Sequence, residues 1–155
     1  MVCRALFVGL FLCLLGLSSK AHAVDFVRVW PGYRSAASFE TIGEFFGRKE
    51  HTGGRILLRT QPNDRSGYYF LIRLRKSDPI PGAILRIQII FADNPIARTF
   101  TLPVDIPAGH PVLNAGITGT DWPAAATKPV AWRVTLQQAD GTEVASQHSF
   151  LWAQP

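Results

Sequence analysis

The chain has 155 residues, 47% of them hydrophobic and 17% charged, with a formal net charge of +5. This length suits one domain with a buried core and leaves no room for a second domain or a long linker. The modest positive charge and the lack of any recognition motif argue against nucleic acid, and two cysteines cannot build a disulfide framework.

The first segment has the form of an export signal. Arg4 gives a positive start, Ala5 to Leu17 is an almost unbroken apolar run, and Ala21-His22-Ala23 matches the small-x-small rule of a signal-peptidase site. A cleaved signal is expected over 1–23, followed by a single domain over 24–155 that is soluble in the periplasm or secreted. The apolar run is too short to span a bilayer as a mature helix, so no transmembrane anchor is expected. Leu12 stands before Cys13 where a lipobox has a small residue, so no lipid anchor is expected either. Cys3 and Cys13 both fall inside the signal, which excludes thiol chemistry and thiolate metal sites from the mature protein. The signal takes Arg4 and Lys20 and no acidic residue, so the remainder carries +3.

Phe26 to Trp30 reads as a first strand stopped by Pro31-Gly32. Ser35 to Phe46 is the single helical segment, with Phe39, Ile42 and Phe46 on one face and Gly47 as its stop. A strand follows over Arg55 to Thr60, then a turn region over Gln61 to Gly67. Tyr68 to Lys76 alternates, with Tyr68, Phe70, Ile72 and Leu74 facing one way and Tyr69, Leu71, Arg73 and Arg75 the other. Pro79 to Gly82 breaks the chain. Ala83 to Phe91 alternates again, with Leu85, Ile87, Ile89 and Phe91 opposite Arg86 and Gln88. Asp93-Asn94-Pro95 reads as a turn, and Arg98 to Val104 and Val112 to Thr118 as weaker strands.

The last hairpin allows a register prediction. Val130, Trp132, Val134 and Leu136 form an inward set. A three-residue loop, Ala139-Asp140-Gly141 with Gly141 left-handed, pairs Leu136 with Val144, Trp132 with His148 and Val130 with Phe150. A two-residue turn would pair Leu136 with Ala145 and turn Phe150 outward, because a one-residue slip inverts every side chain. The three-residue register therefore predicts Phe150, His148 and Trp152 inward.

About eight short strands and one short N-terminal helix predict an all-β fold, an antiparallel immunoglobulin-like β-sandwich. The segment from Ala131-Trp132-Arg133-Val134 through Ala139-Asp140-Gly141 to Ser149-Phe150 resembles the closing hairpin of small periplasmic copper-carrier sandwiches. That resemblance implies one histidine at the mature N-terminus and another just after the Asp-Gly turn. Thr142 occupies the second position, and His22 would be N-terminal only after cleavage behind Ala21.

No enzyme motif is present: there is no nucleophile elbow, no His-Glu-x-x-His and no phosphate-cradling glycine loop. Glu40 and Glu44, four apart on the expected helix, read as a solvated face. His22, His51, His110 and His148 occur singly without ligand spacing, so no metal site and no cofactor is expected. A non-enzymatic binding or structural module is the main reading. Arg55 and Arg59 share parity on one strand, Arg73 and Arg75 on the next, and Arg86 lies on the third. If those strands are neighbours, five guanidinium groups form a face for anionic polysaccharide or an acidic envelope protein. One alternative is a carbohydrate-binding module in which Trp30, Tyr33 and Trp122 form an aromatic platform; the other, implied by the hairpin resemblance, is a periplasmic copper-carrier-like protein.

Overall fold

A computed structural model of the chain describes residues 24–40, 50, 52–75 and 78–153. The expected export signal, His22 and His51 lie outside these residues. Eight strands dominate: β1 (Asp25–Arg34), β2 (Ile56–Arg59), β3 (Gly67–Arg75), β4 (Ile80–Phe91), β5 (Asn94–Ile106), β6 (Val112–Thr118), β7 (Ala131–Gln137) and β8 (Glu143–His148). They form two four-stranded sheets, ordered β1-β3-β6-β2 and β5-β4-β7-β8. All pairs are antiparallel except β2 with β6, which is parallel. Among the described residues, no helix is long and apolar enough to cross a membrane.

The alternation of β3 and β4 builds the core as the sequence predicts. Phe70, Ile72 and Leu74 from β3 and Leu85, Ile87 and Ile89 from β4 are fully buried, and both sheets contribute to one apolar cluster. Trp132 on β7 reaches across to Phe70 on β3, edge to face with centroids 5.5 Å apart. Its inward direction is as expected, although it is only half-buried.

Two strands run through residues that sequence logic treats as breaks. β1 continues past Pro31-Gly32 to Arg34, pairing Pro31 with Phe70 and Gly32 with Tyr69. β5 contains Pro95 and Pro103, and its turn falls at Ala92–Asp93 rather than at Asp93-Asn94-Pro95. Both strands are at sheet edges, where proline's missing N–H breaks no ladder bond on the free side.

The helix expected over Ser35–Phe46 does not form as a continuous element. Ala36–Phe39 is a 3₁₀ turn, and Glu40 is extended at φ −70°, ψ 131°, which ends it. Residues 41–46, with Ile42 and Glu44, lie outside the described part of the chain.

The final hairpin combines both registers considered from the sequence. Gly141 is left-handed at φ 86°, and the Gln138 and Thr142 positions close a three-residue loop through Gln138 N–H to Thr142 O at 2.9 Å. Next to it Gln137 pairs with Glu143, in the predicted register. A bulge then adds Val144 to β8, and Leu136 pairs with Ala145 and Arg133 with His148. The expected pairs Leu136–Val144, Trp132–His148 and Val130–Phe150 are therefore overturned. His148 faces solvent, Val130 is 42% exposed, and Phe150 is 79% exposed in a 3₁₀ turn, Phe150–Ala153, that also takes Trp152 out of strand parity. The requirement to bury Phe150 was the wrong constraint, because the strand ends before it.

Candidate ligand-binding face

The outer face of the β1-β3-β6-β2 sheet is built from alternate residues of each strand. Inward Val29, Ile72 and Leu113 fix the parity. The outward set is then Arg28, Trp30, Gly32 and Arg34 on β1; Tyr69, Leu71, Arg73 and Arg75 on β3; Val112, Asn114 and Gly116 on β6; and Leu57 and Arg59 on β2. Arg55, one step before β2, continues its outward row.

Four of the five sequence-predicted arginines thus reach this face: Arg55, Arg59, Arg73 and Arg75. Arg86 does not. It lies on β4 in the other sheet, opposite Thr101 and Thr135. The face requires β2, β3 and β4 to be neighbours, whereas β6 separates β2 from β3 and β4 belongs elsewhere. Arg28 and Arg34 take its place. Their signal was in the sequence, since Arg28 shares outward parity with Trp30, and Arg34 was hidden by ending β1 at Pro31.

These arginines are not equivalent. Arg75 pairs with Asp25 at 3.1 Å in solvent, a contact worth little. Arg59 is sequestered, with its side chain 8% exposed. Its Nη1 and Nη2 donate to the two Glu50 carboxylate oxygens at 2.9 and 2.6 Å, and its Nε donates to the Tyr69 hydroxyl at 2.9 Å. That hydroxyl donates on to Arg65 O at 2.8 Å. Phe39 covers the assembly, its ring 4.9 Å from the Tyr69 ring and 5.2 Å from the Arg59 guanidinium carbon. Tyr69 is consequently 1% exposed although it points away from the core, and its ring lies so close over Gly116 that a Cβ there would collide with it. The Arg59 hydrogen bonds hold the Glu50 carboxyl below the usual carboxylate range, and the same bond to Glu50 raises Arg59. Burial pushes the Tyr69 phenol up.

Arg28, Arg34, Arg55 and Arg73 have no ion pair with a described residue and are exposed. Arg28 and Arg73 stand directly opposite each other in the β1–β3 register, and Arg28 lies over the Trp30 ring at 4.8 Å. Trp30 is 38% exposed. A shallow groove runs along this edge past Trp30, Leu71, Gly32, Tyr69 and Arg34 to Ser38. It meets a smaller recess of about 120 Å³ bordered by Arg34, Ser38, Glu50, Thr52, Arg55 and Asn114. Asn114 is 5% exposed, and its Oδ1 is buried without a hydrogen-bond partner.

The expected aromatic platform does not assemble. Trp122 is 5% exposed, stacked on Tyr68 with centroids 4.5 Å apart and 5.3 Å from Phe91. Its Nε1–H donates to Ala124 O at 2.9 Å, so both its ring and its polar end are satisfied internally. Tyr33, 37% exposed, pairs with Tyr68 on the inward parity, leaving Trp30 alone on the outer face. His110 and His148 are exposed and far apart in the topology. Among the described residues no three of His, Cys, Asp and Glu converge. The chain matches no family model and no curated protein.

Proposed function

We propose that the protein is an exported, non-enzymatic β-sandwich of immunoglobulin-like type, and that the outer face of its β1-β3-β6-β2 sheet binds an anionic polymer, an acidic polysaccharide of the envelope. The observation that carries this reading is the facing pair Arg28 and Arg73, neither of which has an ion pair with a described residue. Like charges directly opposite on a sheet cost stability. A bound anion relieves that cost, and Arg34 and Arg55 extend the positive field along the groove. Trp30, 38% exposed with the Arg28 guanidinium stacked over its ring, favours a sugar polymer, since the ring is freed to pack on a pyranose once the polymer's acid group draws the guanidinium away.

Binding of a soluble polyuronate, followed across sodium chloride concentration, tests the proposal. Affinity falls with salt, because exposed charges are screened beyond about 8 Å at physiological ionic strength. The double variant R28Q/R73Q loses about tenfold or more in affinity with an unchanged or higher Tm, while R86Q on the other sheet binds normally. Unchanged binding in R28Q/R73Q, or an equal loss in R86Q, refutes it. The carbohydrate alternative now rests on Trp30 alone. It predicts salt-insensitive binding of a neutral glycan that is lost in W30A.

A further inference from the structure

The strand registers line up arginines that the sequence scatters. Arg28 on β1 stands opposite Arg73 on β3, and Arg73 opposite Val112 on β6. Ile56 pairs with Leu113 in the parallel ladder, so Arg55, one residue earlier, stands beside Val112. The outer face therefore carries one transverse row, Arg28–Arg73–Val112–Arg55, across all four strand positions. Its three arginines are exposed and have no ion pair with a described residue. Glu50 borders the same recess as Arg55, but both its oxygens accept from Arg59. The next row, Trp30–Leu71–Asn114–Leu57, is uncharged and runs beside the first.

The spacing of this row matches a particular kind of chain. Neighbouring strands lie about 4.8 Å apart, so Arg73 is one step from Arg28 and Arg55 is three steps away, about 14 Å. A pyranose unit linked through opposite corners of its ring advances its chain by about 5 Å, the reach of one ring with bonds near 1.5 Å. Acid groups on consecutive units keep step with the strands. Two adjacent units meet Arg28 and Arg73, the third crosses neutral Val112, and the fourth meets Arg55. The uncharged row flanks the sugar rings, with Trp30 exposed at its end. The direction along β1 offers no such match. From Arg28 the outward positions are Trp30 and Gly32, and the next cation, Arg34, is about 20 Å away at about 3.3 Å per residue. Phe39 packs over Tyr69, the β3 partner of Gly32, and closes the face on that side.

We infer that the ligand lies across the strands rather than along them, and that it is a polymer with an acid on every unit, of which this row engages a stretch of four. The inference rests on the anion-binding reading of the face and deepens it.

Calorimetric titration with galacturonate oligomers of defined length tests it, at low ionic strength where exposed charges are least screened. Affinity rises from dimer to tetramer and then levels off, once the number of equivalent binding frames on a longer chain is allowed for. R55Q lowers the affinity of the tetramer about fivefold and leaves that of the dimer unchanged, while R34Q leaves the length dependence as it is. A tetrasaccharide of alternating acidic and neutral units cannot meet Arg28 and Arg73 together, and binds about fivefold more weakly than the galacturonate tetramer. A tetramer no tighter than the dimer overturns the inference, as does full tetramer affinity in R55Q, a length dependence lost in R34Q instead, or equal affinity for the alternating chain. If the polyuronate still binds through Arg28 and Arg73 in those cases, the direction and the class of polymer alone are refuted. If no galacturonate chain of any length binds, the reading of the whole face falls with them.

Discussion

The substitution Glu50→Gln isolates the group that holds the covered part of this face together. It keeps the shape of the side chain and removes the charge that both terminal nitrogens of Arg59 engage. Arg59 is 8% exposed and Glu50 19% exposed, so the pair lies between two regimes. Exposed pairs contribute about 0.2–1 kcal/mol, and breaking a buried one costs about 3–5 kcal/mol. A loss of about 2 kcal/mol is expected at pH 7, since Tyr69 still accepts from Arg59 Nε and Gln can still accept one bond. With an unfolding entropy of about 2.1 cal/mol/K per residue over about 130 residues, this lowers Tm by about 7 °C. The pH dependence provides the sharper test. Hydrogen bonds from Arg59 depress the folded-state pKa of Glu50 below its ordinary value of 4.5. Its contribution is therefore complete above that value and is lost as pH falls through the lower folded-state value. Calorimetric Tm measured from pH 7 down to about pH 3 should show the wild type and Glu50→Gln converging in that acid window. A difference below about 0.5 kcal/mol at pH 7, or one that persists undiminished in acid, refutes the assignment.

Trp122→Ala should cost about 3–5 kcal/mol in urea unfolding, as large aromatic truncations in a core do, because it removes the stack on Tyr68 and the contact with Phe91; polyuronate binding by the folded fraction should be unchanged. Phe150→Ser, at a 79% exposed position, should change stability by less than about 0.5 kcal/mol, and a core-sized loss would restore the register with Phe150 inward.

Periodicity made the interior legible and left the lateral order of strands unread. Leu85, Ile87 and Ile89 sit in a run whose period of two can bury only one face, so their inward direction follows from local chemistry alone. The same rule put Arg73 and Arg75 outward. It could not say that β6 lies between β2 and β3, because neighbours are chosen by long-range packing. Proline misled for a related reason: Pro31 ends a central strand but not an edge strand, and edge status belongs to topology. In the hairpin the turn chemistry of Asp140-Gly141 was readable, while the bulge at Val144 was not, since an inserted residue leaves no periodic trace when both faces are mixed. Tyr69 was missed because it shares parity with the outward Arg73 and Arg75, and Asn114 because its strand, Val112–Thr118, shows no alternation that assigns a face. Asparagine within the apolar run Val112–Thr118 was the available signal, being disfavoured in strands.

The contrast between the two outer faces bears on where a ligand belongs. On the β5-β4-β7-β8 sheet, Arg133 is answered by Glu143 at 3.1 Å within the same sheet, and Arg86 faces two threonines. Charge there is balanced or isolated, as on an ordinary solvated surface. On the first sheet, Glu50 is used to bury Arg59, and Asp25 meets only Arg75 at the rim. The carboxylates on that face thus serve the arginines that support the structure and leave Arg28, Arg34, Arg55 and Arg73 without ion-pair partners among the described residues. A protein maintained for stability alone gains by placing an acid across from Arg28. The position opposite it holds Arg73 instead, and the tension between that pair is what the proposed anionic ligand would resolve.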